Sequence, residues 1–148
     1  PAACYPAAAL ASGATIVTNT REIAADDYFI GMFETALNDG EIVTAVKFPI
    51  PEKSNYQKFV QPASRFSLVG VFVAKTAEGV RVAVTGASNN GVYRWSEAET
   101  ALSANFSASA LDGLTVSEDD MISDLHGTAD YRAHLVKVMT GRAVTAAS

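Results

Sequence analysis

An α+β fold is predicted by three observations. Apolar and polar residues alternate with the two-residue period of strands over residues 41–48, 56–60 and 80–85, and 66–75 is a mostly apolar strand. Tight turns separate the last three of these, which predicts a three-stranded antiparallel meander. The longest helical pattern, 128–142, follows the strands rather than alternating with them, so helices pack on the sheet instead of linking parallel strands.

Residues 6–12 are Ala- and Leu-rich with Pro6 in the first turn, a short helix that Gly13 stops. The β-branched stretch 14–18 reads as a strand, Asn19-Thr20 as a turn and 21–24 as its return strand. Asp26 and Asp27 stand where first-turn acids belong, predicting a helix that continues through Phe29 to Phe33. Asn38-Asp39-Gly40 is a turn, and 41–48 is a strand with Ile42, Thr44, Val46 and Phe48 on one side. Pro49-Ile50-Pro51 interrupts regular structure, and a domain boundary is placed near residue 53.

Beyond it, 56–60 is an alternating strand, 61–65 a loop, 66–75 a strand, Gly79 a hairpin turn and 80–85 a third strand. Residues 86–91 (Gly-Ala-Ser-Asn-Asn-Gly) read as a loop leading into a helix. Ser96 with Glu99 has capping-box spacing for a helix through Leu102. Residues 107–111 suggest a second short helix. Thr128 caps the last one, whose apolar face is Tyr131, Leu135, Val138, Met139 and Arg142; Asp130, Arg132, Lys137 and Thr140 fall on its other face.

Composition narrows the function. Eleven Lys and Arg against sixteen Asp and Glu leave a net charge of −5, the wrong sign for a phosphate-backbone partner. The longest apolar run, 66–74, is too short to span a bilayer, which takes about 20 residues. With one cysteine, Cys4, and two histidines there is no intrachain disulfide and no Cys-rich zinc site, and a cytoplasmic location is expected. No secretory leader is visible, and the start at Pro1 suggests a fragment or a processed product.

Catalytic motifs are absent. Neither dinucleotide nor P-loop glycine signatures occur, nor a nucleophile elbow. His126 and His134 read as a capping and a surface histidine, and the acids 118–124 as a solvated loop. Cys4 reads as an idle thiol with nothing nearby to lower its pKa. Ser64 and His134 have no orienting partner for hydrolysis. From these residues alone the chain is an acidic α+β protein without autonomous catalytic chemistry.

Five segments in order add a resemblance: Pro1-Ala-Ala with Pro6-Ala-Ala-Ala-Leu10, the stretch from Phe33 through Glu41-Ile-Val43 to Pro51, Tyr56-Gln-Lys-Phe-Val-Gln-Pro-Ala-Ser-Arg-Phe66, Val82-Ala-Val-Thr-Gly-Ala87, and Asp124-Leu-His-Gly-Thr-Ala-Asp-Tyr-Arg-Ala-His-Leu135. Together they resemble the FAD-binding medium subunit of molybdenum hydroxylases, in the aerobic carbon monoxide dehydrogenase branch, over essentially the whole chain. The resemblance implies an electron-transfer subunit. Its FAD takes electrons from 2Fe–2S clusters on a small subunit and passes them to an external acceptor, while a large subunit holds the molybdenum cofactor.

The family's two Gly-rich pyrophosphate loops would lie before Pro1. Residues 1–53 then correspond to the tail of the FAD-binding domain, and 54–148 to the C-terminal domain with its three-stranded sheet and helices. The isolated chain is expected to be inactive and to bind FAD weakly or not at all. By resemblance, Val43 packs near the isoalloxazine, Phe66 lies against the flavin ring, Leu68 neighbours it, and Gln61 to Arg65 form a loop that modulates acceptor access. Cys4 replaces an Asp that hydrogen-bonds the flavin side chain, and a thiol is a poor acceptor. Read without the resemblance, Val43 and Leu68 are strand core, Phe66 is hairpin packing and Gln61-Pro62 a plain loop. A docking module for subunit assembly is the alternative function; an independent small-molecule enzyme has no motif behind it.

Overall fold

The computed structural model describes residues 2–148; Pro1, where the resemblance begins, lies outside the described residues. The main body is a four-stranded antiparallel sheet covered on both faces. Its strands are β6 (Lys53–Val60), β7 (Ser67–Thr76), β8 (Gly79–Ser88) and β9 (Gly91–Arg94), in that spatial order. The 3-10 turn Ala108–Leu111 and helices α3 (Ser96–Ala104) and α4 (Ala129–Ala147) cover one face. Helix α1 (Cys4–Ala11) covers the other.

Alternation along β7 and β8 explains the two covers. Val71, Val73, Val82 and Val84 face α3 and α4 in the larger core. Phe72, Ala74 and Ala83 face α1, where small residues let the Ala-rich helix lie close to the strands. A strand with both faces covered reads as a nearly continuous apolar run, as 66–75 does.

The expected α+β class holds, but the sheet has four strands rather than three. Residues 86–88 are not a loop: β8 runs on to Ser88, Asn89-Asn90 turn the chain, and β9 pairs back with Ala83 opposite Arg94 and Val84 opposite Tyr93. Gly86, at φ +80°, breaks the register between Val84 and Ser88 while keeping the strand in the sheet. This is a glycine bulge, which local periodicity reads as a loop.

Within residues 15–47 lies a smaller, three-stranded sheet. Strand β1 (Thr15–Thr18) lies between β2 (Glu22–Ala24) and β5 (Val43–Lys47), both antiparallel to it. Glu41 anchors the sheet's turns. It accepts hydrogen bonds from Thr18 Oγ1 (2.7 Å), Thr20 Oγ1 (2.9 Å), the Asn38 N–H (2.8 Å) and the Arg21 guanidinium (2.9 Å). The Arg21 contact, then the Asn38 N–H and the Thr18 hydroxyl, hold its carboxyl far below the usual carboxylate range. Both faces of β5 are exposed, so its alternation has no covered side in this chain.

Three other expectations change. The helix at Asp26-Asp27 is a single turn, α2 (Ala25–Tyr28); the residues after it form a small hairpin of β3 (Phe29–Gly31) and β4 (Glu34–Thr35). Asp26 instead meets Arg81 at 2.7 Å and Arg94 at 3.0 Å, tying α2 to the main sheet. The Ser96–Glu99 capping box does not form. Trp95 occupies the N-cap, and Glu99 turns inward to accept the Val82 N–H (2.9 Å) and both Arg94 Nε (2.7 Å) and Nη2 (2.6 Å). A buried N–H and a guanidinium compete better for this carboxylate than an exposed helix end.

The buried stripe of α4 is also rotated. Arg132, Ala133, Leu135, Val136, Met139, Thr140, Ala143 and Val144 are covered, while Tyr131 is 39% exposed and Arg142 exposed. Ala133 and Ala143 permit close approach, Thr140 satisfies its hydroxyl on the Val136 carbonyl (2.7 Å), and Arg132 finds main-chain acceptors inside.

Candidate functional site

The residues singled out from the sequence fall into two neighbouring regions at the N-terminal end of α1. Val43 lines a cleft of about 180 Å³ with Tyr5, Pro6, Ile16, Phe29 and Val46. Tyr5 is 84% exposed there, so the cleft presents an aromatic ring and aliphatic side chains to solvent.

The second region is the hairpin between β6 and β7. The Gln61 N–H donates to the Phe66 carbonyl at 3.0 Å and closes the connecting loop. Ser64 and Arg65 both sit in the left-handed region, at φ 51° and 58°. Two consecutive non-glycine residues there cost about 1–2 kcal/mol each, strain that the surrounding hydrogen bonds must hold. Phe66 is half-buried, and His126 meets its ring edge-on at 5.6 Å between centroids. Leu68 is wholly buried in the larger core, against Gly127, and offers no exposed surface to a bound group.

Cys4 joins this hairpin from α1. Its Sγ lies 3.6 Å from Lys58 Nζ and 3.9 Å from Ser67 Oγ, and Ser67 Oγ is 2.9 Å from the Tyr56 hydroxyl. Lys58 also donates to the Arg65 carbonyl at 3.0 Å. Burial pushes the Cys4 thiol up, but the Tyr56 and Ser67 hydroxyls and the Lys58 ammonium together bring it below the ordinary thiol value. The expectation that nothing near Cys4 would lower its pKa is therefore overturned. The partners come from strands more than fifty residues away, beyond the reach of local sequence reading.

Lys58, Tyr56, Ser67 and His126 are the participants that sequence reasoning missed. One signal was present: Gly70, opposite Lys58, leaves room for the Tyr56 ring, since a Cβ there would fall 2.4 Å from the Tyr56 hydroxyl. At pH 7–8, Lys58→Met is expected to slow alkylation of Cys4 by iodoacetamide several-fold and to move the midpoint of its pH–rate curve upward. The ammonium favours the thiolate, which is the nucleophile. An unchanged midpoint, followed by mass spectrometry across pH, would mean that Lys58 does not act on the sulfur.

Among the described residues, no group of three or more His, Cys, Asp or Glu is placed to hold a metal ion, and no helix is long and apolar enough to cross a membrane.

Comparison with known proteins assigns the fold a family. No family model matches the chain. The nicotine 6-hydroxylase medium subunit of Paenarthrobacter nicotinovorans is 33% identical over 141 residues, 88% of this chain and 50% of that subunit. The carbon monoxide dehydrogenase medium chain of Afipia carboxidovorans is 26% identical over 135 residues, 84% of this chain and 47% of that one. In the solved structure of reconstituted CO dehydrogenase from Oligotropha carboxidovorans, one chain superposes with a TM-score of 0.80 at 27% identity, covering 96% of this chain and 55% of its own length. The chain thus spans about half the length of the curated relatives it matches. The kinship expected from the five sequence segments is borne out: this chain is a relative of the medium subunits of molybdenum hydroxylases of the carbon monoxide dehydrogenase type.

Proposed function

We propose that this chain contributes to an FAD-binding medium subunit, which carries electrons from 2Fe–2S clusters of a small subunit to an external acceptor, while a large subunit performs the molybdenum chemistry. The superposition on CO dehydrogenase over 96% of the chain carries this reading. In it, residues 1–53 belong to the FAD-binding domain and 54–148 to the C-terminal domain, with the boundary near residue 53, just after the Pro49-Ile50-Pro51 break. The subunit works in the cytoplasm.

The residues present suit the ring-bearing half of such a cofactor. Tyr5, Val43 and Val46 offer an exposed apolar cleft, and Phe66 a half-exposed ring. Cys4, Lys58, Tyr56 and Ser67 offer polar contacts beside them. Bound FAD would supply the ability to take up electrons one at a time from the clusters and to pass on an electron pair. This chain's part is to cover the ring, exclude water from one side and present Lys58 and the hydroxyls to polar atoms. The sequence contains no Gly-rich phosphate loop, which supports weak FAD binding by the chain alone.

The exposed Ile42, Phe48 and Ile50 favour a second role beside this one, docking against other subunits or domains. The two separate on Phe66→Ala in the assembled subunit. Loss of the aromatic contact, about 0.5–1.5 kcal/mol, is expected to weaken FAD binding roughly two- to tenfold. It should also slow reoxidation of the flavin by the acceptor. Unchanged flavin affinity and unchanged electron transfer would remove Phe66 from the cofactor site and leave the docking role.

A further inference from the structure

We infer that Asp124 is a positioning residue for Phe66: the turn it closes sets the orientation of that ring, and through it the ring's contact with the flavin. The inference rests on the flavin reading above, but its structural half stands on this chain alone. Asp124 and Gly127 exchange main-chain hydrogen bonds at 3.1 and 3.2 Å, closing a four-residue turn. The Asp124 carboxylate caps that turn from within, accepting the His126 N–H at 2.9 Å and Arg132 Nη2 at 2.8 Å. Arg132, only 2% exposed, is itself fixed by the carbonyls of Leu68 and Gly86, each at 2.8 Å from Nη1.

One carboxylate oxygen therefore links the first turn of α4, through Arg132 the start of β7 and the end of β8, and the backbone of His126. That linkage matters because of what surrounds Phe66. On its N-terminal side stand Ser64 and Arg65 in left-handed conformations, a poor support for a fixed ring. On its C-terminal side, the Leu68 carbonyl is held by the same Arg132. The side chain that meets the Phe66 ring is His126, whose peptide Asp124 holds. Leu125, between them, is 91% exposed, so apolar burial does not hold the middle of the turn in place. With the carboxylate removed, the turn keeps its two main-chain bonds but loses its tie to Arg132, and the imidazole is free to leave the ring edge.

The test uses Asp124→Ala, Asp124→Asn and His126→Ala, read first by NMR on the 148-residue chain. Asp124→Ala is expected to abolish the ring-current shift of the His126 imidazole protons and to move the Phe66 ring resonances. Asp124→Asn, which keeps an oxygen for the His126 N–H, should restore most of both. His126→Ala should move the Phe66 resonances and leave the Arg132 resonances in place, and it carries the test if Asp124→Ala does not fold. The second reading is the flavin midpoint potential and FAD affinity of the assembled subunit, with Asp124→Ala moving both in the direction of Phe66→Ala but by less.

Unchanged Phe66 and His126 resonances in Asp124→Ala overturn the positioning role, whatever the flavin does. Altered resonances with an unchanged flavin, where Phe66→Ala does alter the flavin, overturn the step from ring to cofactor. If Phe66→Ala leaves the flavin unchanged as well, the flavin reading of Phe66 falls, and the step from Asp124 to the cofactor falls with it.

Discussion

Gly86→Ala is expected to destabilise the fold by about 2–5 kcal/mol. A residue with a side chain held in the left-handed region costs about 1–2 kcal/mol, and overpacking a tight site adds about 1–3. Gly86 combines both, with φ at +80° and an added Cβ at 2.4 Å from the Ser67 carbonyl oxygen and 2.9 Å from that of Leu68. The opposing atoms are backbone, so no rotamer change relieves the clash. Relief requires moving the start of β7, the segment that holds Phe66 and Ser67. The melting temperature should fall by on the order of 10 °C for a chain of this size. Gly141→Ala is the matched control: it lies inside α4 with nothing within 4 Å, and should be neutral or stabilise by up to about 1 kcal/mol. Equal, small effects at the two sites in urea melts would show that the β8 bulge does not approach β7 as described.

Arg132→Met is the second large effect. It removes the donor that serves the Leu68 and Gly86 carbonyls and leaves Asp124 without its cation. Asp124 is exposed and is rehydrated, but the two carbonyls lose their buried donor, and leaving each one unsatisfied costs about 1–3 kcal/mol. Met keeps the apolar stem and so isolates the polar loss from the packing loss. Arg132→Lys should recover part of the stability, since one ammonium cannot reach three acceptors as a planar fork does. Among the described residues, Arg132 Nε has no hydrogen-bond partner. Gly86 is shared by both predictions, and the double variant should depart from additivity by roughly 0.5–3 kcal/mol. A melt in which Arg132→Met loses less than about 1 kcal/mol would show these carbonyls to be satisfied without it.

Burial raises the pKa of Asp124, but the His126 N–H and the Arg132 guanidinium bring it below the usual carboxylate range. A lowered folded-state pKa contributes stability above the unfolded carboxylate value, and this contribution is lost as pH falls through the folded one.

Much of the fold was legible locally. The period-two strands, the Asn38–Gly40 turn, the break at Pro49–Pro51 and the last helix all follow from patterns spanning fewer than twenty residues. The failures share a cause. Glu99 has the spacing of a capping box, yet its carboxylate serves the Val82 N–H across the core. Arg132 and Thr140 look like members of a solvated face, yet Arg132 finds acceptors 46 and 64 residues away, and Thr140 bonds its own helix. Strand β9 hid behind Gly86, although Val92-Tyr93 carried the β-branched and aromatic signal of a strand.

The candidate site divides along the same line. Sequence alone determined the class of fold, the kinship with molybdenum-hydroxylase medium subunits, and, through that kinship, Val43, Gln61, Phe66 and Leu68 as residues to inspect. Those conclusions rest on local periodicity and on ordered segments, which are properties of the chain read one window at a time. Only the tertiary structure decided that Cys4 meets Lys58 and Ser67, that Leu68 is sealed in the core, and that Asp124 reaches Phe66 through His126. These depend on which strands pair and in what register, because a one-residue slip would send Lys58 to the opposite face of the sheet from Cys4.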